Sequence, residues 1–339
     1  MLNIFSNRLI LEAGECMKIG VWAHPIMNYV EGSRNIDSSF KNMAKAGISI
    51  YYPYACLRGN SCYPSKLVNQ VTNEDFLKKI IEAASSYGIE VHPIVAFTTP
   101  KPDLLKPFIG HGAPKGMADG HSVCPSWESN RQLVLGIMTE LLENYEIKGI
   151  HLDYMRYPDS SYSLMFPCEC EVCRSYRKRR LGEEVFSGED MKDPGKLYIE
   201  LCMRAEHIKS FIVRIRNMTL SRSLELSMAA REDYTKFALS EGQDWVEWSR
   251  EGLVDVICPM SYTTNLEKFK AFADEHSRLL KGGKAKYFAG IGRKSNNGEL
   301  KPNDMIEQIR YSKEKGASGC TIFHFGALTE EDLSNLGDL

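Results

Sequence analysis

The chain of 339 residues has no run of about 18 apolar residues, the length a helix needs to cross a bilayer. It also has no excess of either charge. A formal net charge of −2 gives neither nucleic acid nor an anionic membrane a surface to hold. No glycine-rich phosphate turn follows the first strand-like segment, which runs instead into Trp22-Ala23-His24-Pro25, and this argues against a doubly wound nucleotide-binding sheet. Linkers and low-complexity stretches are absent, so a single domain is expected. Residues 1–16 lack the long apolar core and small-residue cleavage site of a secretory signal, and read as an N-terminal extension ahead of a domain at 17–339. Ten cysteines without such a signal read as reduced thiols or metal ligands of a cytoplasmic protein.

The residues that are present describe an ordinary globule, 43% hydrophobic and 25% charged, with ample core. Strand-like segments near 18–24, 48–54, 90–97, 149–153, 224–230, 254–262, 287–291 and 319–325 are each trailed by a helical pattern. Eight such pairs predict a (β/α)8 TIM barrel, with an extended loop from 158 to about 193 after strand four.

The stretch Gly149-Ile150-His151-Leu152-Asp153-Tyr154-Met155-Arg156-Tyr157-Pro158 reads as a short buried strand that ends in charge. Side chains alternate along a strand, so His151 and Asp153 are expected inside, with Leu152 and Tyr154 facing helices. A carboxylate ending such a strand stands where barrel enzymes place catalytic groups. Arg156 would hold Asp153 ionised by its charge. The plainer alternative is a buried Asp that pairs with Arg156 only to pin a loop.

Other strand ends supply Trp22, His24, Tyr262 and His324, which with His151 and Arg156 suit a sugar subsite. Pyranose C–H faces stack on rings, and the hydroxyls take polar or charged partners. Glycoside cleavage commonly needs a second carboxyl group. Both Glu232 and Asp233 follow strand five: inward Ser227 and Ala229 put Asp233 in phase with the pocket, and phase need not outlast the strand, which keeps Glu232 open.

The 149–158 stretch resembles the signature of the family-10-like glycosyl hydrolases, a group of TIM barrels. The likeness continues in Cys124-Pro125-Ser126, in Gln243-Asp244-Trp245 with Trp248, and from Val254-Asp255 through Cys258-Pro259-Met260-Ser261-Tyr262. It implies a glycosidase-like barrel with Asp153 as leading carboxylate. Met260-x-Tyr262 is also similar to the sixth-strand motif of chitinase-like barrels, but their paired acids on strand four are missing here.

Cys168-Glu169-Cys170-Glu171-Val172-Cys173 places three thiols within six residues, and Cys124 in the neighbouring loop could complete a tetrahedral zinc set. The arrangement is similar to a zinc site of some TIM-barrel β-galactosidases. Four thiolates leave no open position, so such a zinc would be structural, and no cofactor is expected for catalysis. The alternative is a group of reduced cysteines that binds nothing.

The expected function is hydrolysis of a glycosidic bond in an oligosaccharide or small glycoside, with Asp153 as nucleophile or charge stabiliser and Glu232 or Asp233 as acid/base. A carbohydrate is the expected partner, and the composition is compatible with a homo-oligomer. Two rivals stand beside this reading. His24, His92, His151 and His324 on four strands invite a metal-dependent barrel hydrolase, and the aromatic set alone would serve an inactive carbohydrate-binding barrel.

Overall fold

The structure, a computed structural model, describes residues 17–97, 107–113 and 123–339. The proposed extension at 1–16 lies outside them. Strand β1 (Lys18–Ala23) pairs in parallel with β2 (Ile48–Pro53) and with β8 (Gly319–Phe323). From β8 the ladder runs through β7 (Lys286–Gly292), β6 (Val256–Pro259), β5 (Glu225–Ala230) and β4 (Gly149–Asp153). Strand β3 closes the circle in two pieces: Glu90–Val91 pairs with β2, and Ile94–Ala96 pairs with β4. Pro93 has no N–H for a ladder, which explains the break. His92 N still donates to Tyr51 O, and His151 N to Pro93 O. The expected (β/α)8 barrel is therefore the observed fold.

Alternation along the strands sorts the core into two layers. Ile50, Tyr52, Ile94, Ala229, Val256, Cys258 and Phe288 fill the barrel interior. Ile150, Leu152, Leu226 and Met228 point outward into the layer shared with the helices. The long helix Pro194–Leu220 shows how that layer is made. Asp193 caps it through Lys196 N, Pro194 opens it, and Met203, Ile208, Phe211, Ile212 and Ile215 bury one face. Each such side chain contributes about 1.5–3 kcal/mol of burial. At the base of β4 only glycine fits, because a Cβ on Gly149 would lie 2.5 Å from His92 Nδ1 and 2.6 Å from Glu225 O.

The long excursion after β4 is more ordered than a bare loop. It contains Ser160–Ser163 and the helix Glu171–Leu181, and a buried charge triad pins it to the barrel. Arg177 and Arg204 both bond Glu200; Arg177 also reaches Cys168 O and Arg204 reaches Ser163 O. Burial pushes the Glu200 carboxyl up, but the two guanidinium groups outweigh it and hold it below its ordinary value. A second unforeseen feature follows β2, where Cys56–Leu57, Asn60–Ser61 and Asn69–Gln70 form a small three-stranded sheet. The helix Phe76–Ser86 is capped by Asp75, whose side chain accepts from Lys78 N. Among the described residues no helix is long and apolar enough to cross a membrane.

Candidate active site at the barrel mouth

A cleft of about 330 Å³ opens at the C-terminal ends of the strands. Trp22, Tyr54, Asp153, Tyr154, Arg156, Arg231, Glu232, Tyr262 and Phe323 line it, so seven loops or strand ends converge there once the hairpin carrying Asn297 is included. Asn297 Nδ2 donates to the Tyr262 backbone O at 2.8 Å, which ties that hairpin to the chain after β6. Tyr262 and Phe323 stack at 5.2 Å, and Trp22 meets Tyr262 edge-on at 6.2 Å.

Asp153 ends β4 facing the interior, as the alternation requires, and is buried. Its Oδ1 accepts from Tyr154 N at 2.7 Å and its Oδ2 accepts from the Tyr54 hydroxyl. Burial raises its pKa above the ordinary value, against the charge of Arg156 and the Tyr54 hydrogen bond. Tyr154 departs from the expected pattern. Its φ of 52° breaks the strand alternation, so the ring turns to the cleft rim instead of facing helices.

Arg156 does line the cleft, with its guanidinium 4.7 Å over the Tyr154 ring. Its carboxylate partner, however, is Glu241, at 3.1 Å from Nε. Glu241 was not among the residues singled out by sequence. It is fully buried, its Oε2 also lies 3.5 Å from Arg231 Nε, and its Oε1 accepts from Ser160 N. Burial raises its pKa despite both arginines. Nothing in the run Leu239-Ser240-Glu241-Gly242 marks this role beyond an acid placed before a glycine turn.

Of the two acids after β5, Glu232 lines the cleft, 3.8 Å from Arg231 Nε. Asp233 does not. The chain turns into the short helix Tyr234–Ala238 at that point, and Asp233 is its cap, accepting from Lys236 N at 2.9 Å. Strand phase ends at Ala230, and the argument from alternation fails beyond it.

His151 sits beneath the cleft, fully buried. Trp22 Nε1 can only donate, so His151 Nε2 accepts at 2.9 Å, which leaves the proton on Nδ1 to donate to Ser227 Oγ at 2.8 Å. Burial lowers its pKa well below the ordinary value and keeps it neutral. It orients Trp22 and does not line the cleft itself. His24 stacks on Tyr54 beside the cleft and is held down to about 4 by burial and by His324. His324 packs against His24 and Phe323. Among the described residues these histidines form no group of three metal ligands with each other or with an acid.

Such a group does occur in the excursion. The sulfurs of Cys124, Cys168, Cys170 and Cys173 all lie within 4.8 Å of one another, and all four residues are buried. The cluster is wired to strand four: Ser126 Oγ lies 3.2 Å from Cys173 Sγ, 2.5 Å from Tyr157 Oη and 3.0 Å from His207 Nδ1. Cys56 and Cys62 are free thiols.

No known family's sequence profile matches the chain, and neither does any curated protein. Solved structures do match its fold. The glycoside hydrolase domain of PgaB (BpsB) from Bordetella bronchiseptica superposes with a TM-score of 0.75 at 11% identity, over 95% of this chain and 98% of that one. The catalytic domain of a β-amylase from Paenibacillus polymyxa gives 0.63 at 12%, over 96% and 98%. A β-galactosidase from Halorubrum lacusprofundi gives 0.65 at 10%, with 95% of this chain spanning 57% of that longer one. The chain thus shares the TIM-barrel fold of glycoside-hydrolase-like proteins, and at these identities the likeness is one of fold.

Proposed function

We propose that the protein is a glycoside hydrolase acting at the barrel mouth. The observation that carries this reading is the pair Asp153 and Glu232, two carboxyl groups in unlike surroundings within one aromatic-walled cleft. Glycosidic cleavage uses one protonated carboxyl to give the leaving oxygen its proton. A second, ionised carboxylate attacks the anomeric carbon or activates water. Burial biases Asp153 toward its protonated form, so we assign it the acid role, where the sequence reading expects the ionised one. Glu232, beside the Arg231 guanidinium, takes the nucleophile or base role. Trp22, Tyr154, Tyr262 and Phe323 stack on the sugar, and Arg156 binds its hydroxyls. The fold likeness to glycosidases supports the same chemistry. Incubating purified protein with a broad panel of α- and β-aryl glycosides and oligosaccharides tests it: release of sugar from at least one is expected. Retained sugar binding without turnover on any substrate would favour an inactive carbohydrate-binding barrel.

We also assign the four thiols to a structural zinc. A tetrahedral site with Zn–S bonds of about 2.3 Å has sulfur–sulfur edges of about 3.8 Å. Cys124 Sγ lies 3.6 Å from Cys170 Sγ and 3.8 Å from Cys173 Sγ, which fits. The ion would cross-link the excursion to the loop before Glu128–Asn144 and offer no open position for chemistry.

A further inference from the structure

Beside the catalytic cleft, a second cavity of about 400 Å³ takes no part in the chemistry proposed above. Tyr54 lines both spaces. Its hydroxyl serves Asp153 in the cleft, while its ring stacks on His24 at 4.8 Å, nearly parallel, at the edge of the cavity. The far wall is the small three-stranded sheet after β2. Its first turn, Arg58-Gly59, has positive φ at both residues, the backbone twist that a two-residue hairpin requires. This fixed geometry delivers Arg58, Asn60, Asn69 and Gln70 to the cavity, with Glu31 among the residues lining it from the β1 side. Asn60 and Asn69 are exposed there, so their side-chain amides can meet a ligand that enters from solvent. Arg58 and Glu31 balance in charge, so the lining suits a neutral, hydroxyl-rich ligand better than an ion.

We infer that this cavity is a second saccharide subsite beside the catalytic cleft, separated from it by Tyr54, so that the substrate is a neutral oligosaccharide whose scissile bond lies in the cleft at Asp153 while its chain reaches past Tyr54. Its catalytic part rests on the glycosidase reading, but the subsite itself is a matter of binding. A monosaccharide glycoside fills the cleft alone. A longer chain gains the amides of the hairpin as well.

The test is calorimetric titration of the full-length Asp153→Asn protein, which keeps ligand intact. The probes are mono- to pentasaccharides of the cello, xylo, malto, galacto and N-acetylchito series. Affinity is expected to rise about tenfold or more from mono- to trisaccharide in one series. Asn69→Trp and, separately, Val71→Trp place a bulky ring on an exposed part of the cavity lining. Each is expected to cut the trisaccharide-to-monosaccharide affinity ratio about tenfold, with thermal melts confirming the fold. Flat affinity along every series, no binding at all, or a ratio indifferent to both substitutions would overturn the subsite. A rising series with a wild type that turns over nothing would overturn the glycosidase reading and leave the subsite standing.

Discussion

The Tyr54 hydroxyl donates to Asp153 Oδ2, joining the end of β2 to the end of β4 across the barrel mouth. That hydrogen bond favours the carboxylate, as does the charge of Arg156, yet burial leaves the Asp153 pKa above its ordinary value. Removing the bond takes away a stabiliser of the charged form and raises the pKa further. If protonated Asp153 is the acid, activity falls as pH rises through its pKa. Tyr54→Phe should therefore move the alkaline limb of the kcat/KM profile to higher pH. A limb that stays in place would show that Asp153 does not set it.

Glu241 anchors Arg156 and Arg231 from a fully buried position. Glu241→Gln removes the charge and leaves two guanidinium groups facing a neutral amide, at a cost of about 3 kcal/mol in unfolding free energy. The denaturant midpoint should fall, and KM should rise as both arginines lose their anchor. A variant as stable as the wild type would mean the arginines find other partners.

The Trp22–His151–Ser227 chain predicts a different signature. His151→Phe leaves the Trp22 indole N–H buried without an acceptor, costing about 1–3 kcal/mol. The protein should still fold, with a lower midpoint and weaker saccharide binding because the Trp22 ring is no longer fixed in the cleft. Unchanged binding would show that Trp22 does not contact the sugar in the cleft.

Elemental analysis of purified protein should find about one zinc per chain. Stripping it with a strong chelator, or Cys170→Ser, should lower the melting temperature, because a metal bound only by the folded state stabilises that state. Metal-free protein that melts as before would return the four cysteines to plain reduced thiols.

Much of this architecture is legible from sequence because it follows simple periodicities. Alternation places Asp153, Ser227 and Ala229 inside and Leu152, Leu226 and Met228 outside, and the structure agrees. The failures begin where the strands stop. Tyr154 adopts a left-handed backbone, and Asp233 is drawn off as a helix cap. The hairpin at 56–70 has short, largely polar strands with no clear apolar period, so its pattern is silent. Glu241 acts by bringing Arg156, from the loop after β4, together with Arg231, after β5, a tertiary meeting that no local spacing encodes.

The two carboxyl roles are tested most directly by leaving-group dependence. A missing general acid matters most when the departing oxygen is a poor leaving group. Asp153→Asn should lose about 100-fold or more on an unactivated oligosaccharide but far less on an activated aryl glycoside. Glu232→Gln should lose activity on both, since attack or water activation is still required. Equal losses on the two substrates for Asp153→Asn, or full activity in Glu232→Gln, would contradict the assignment.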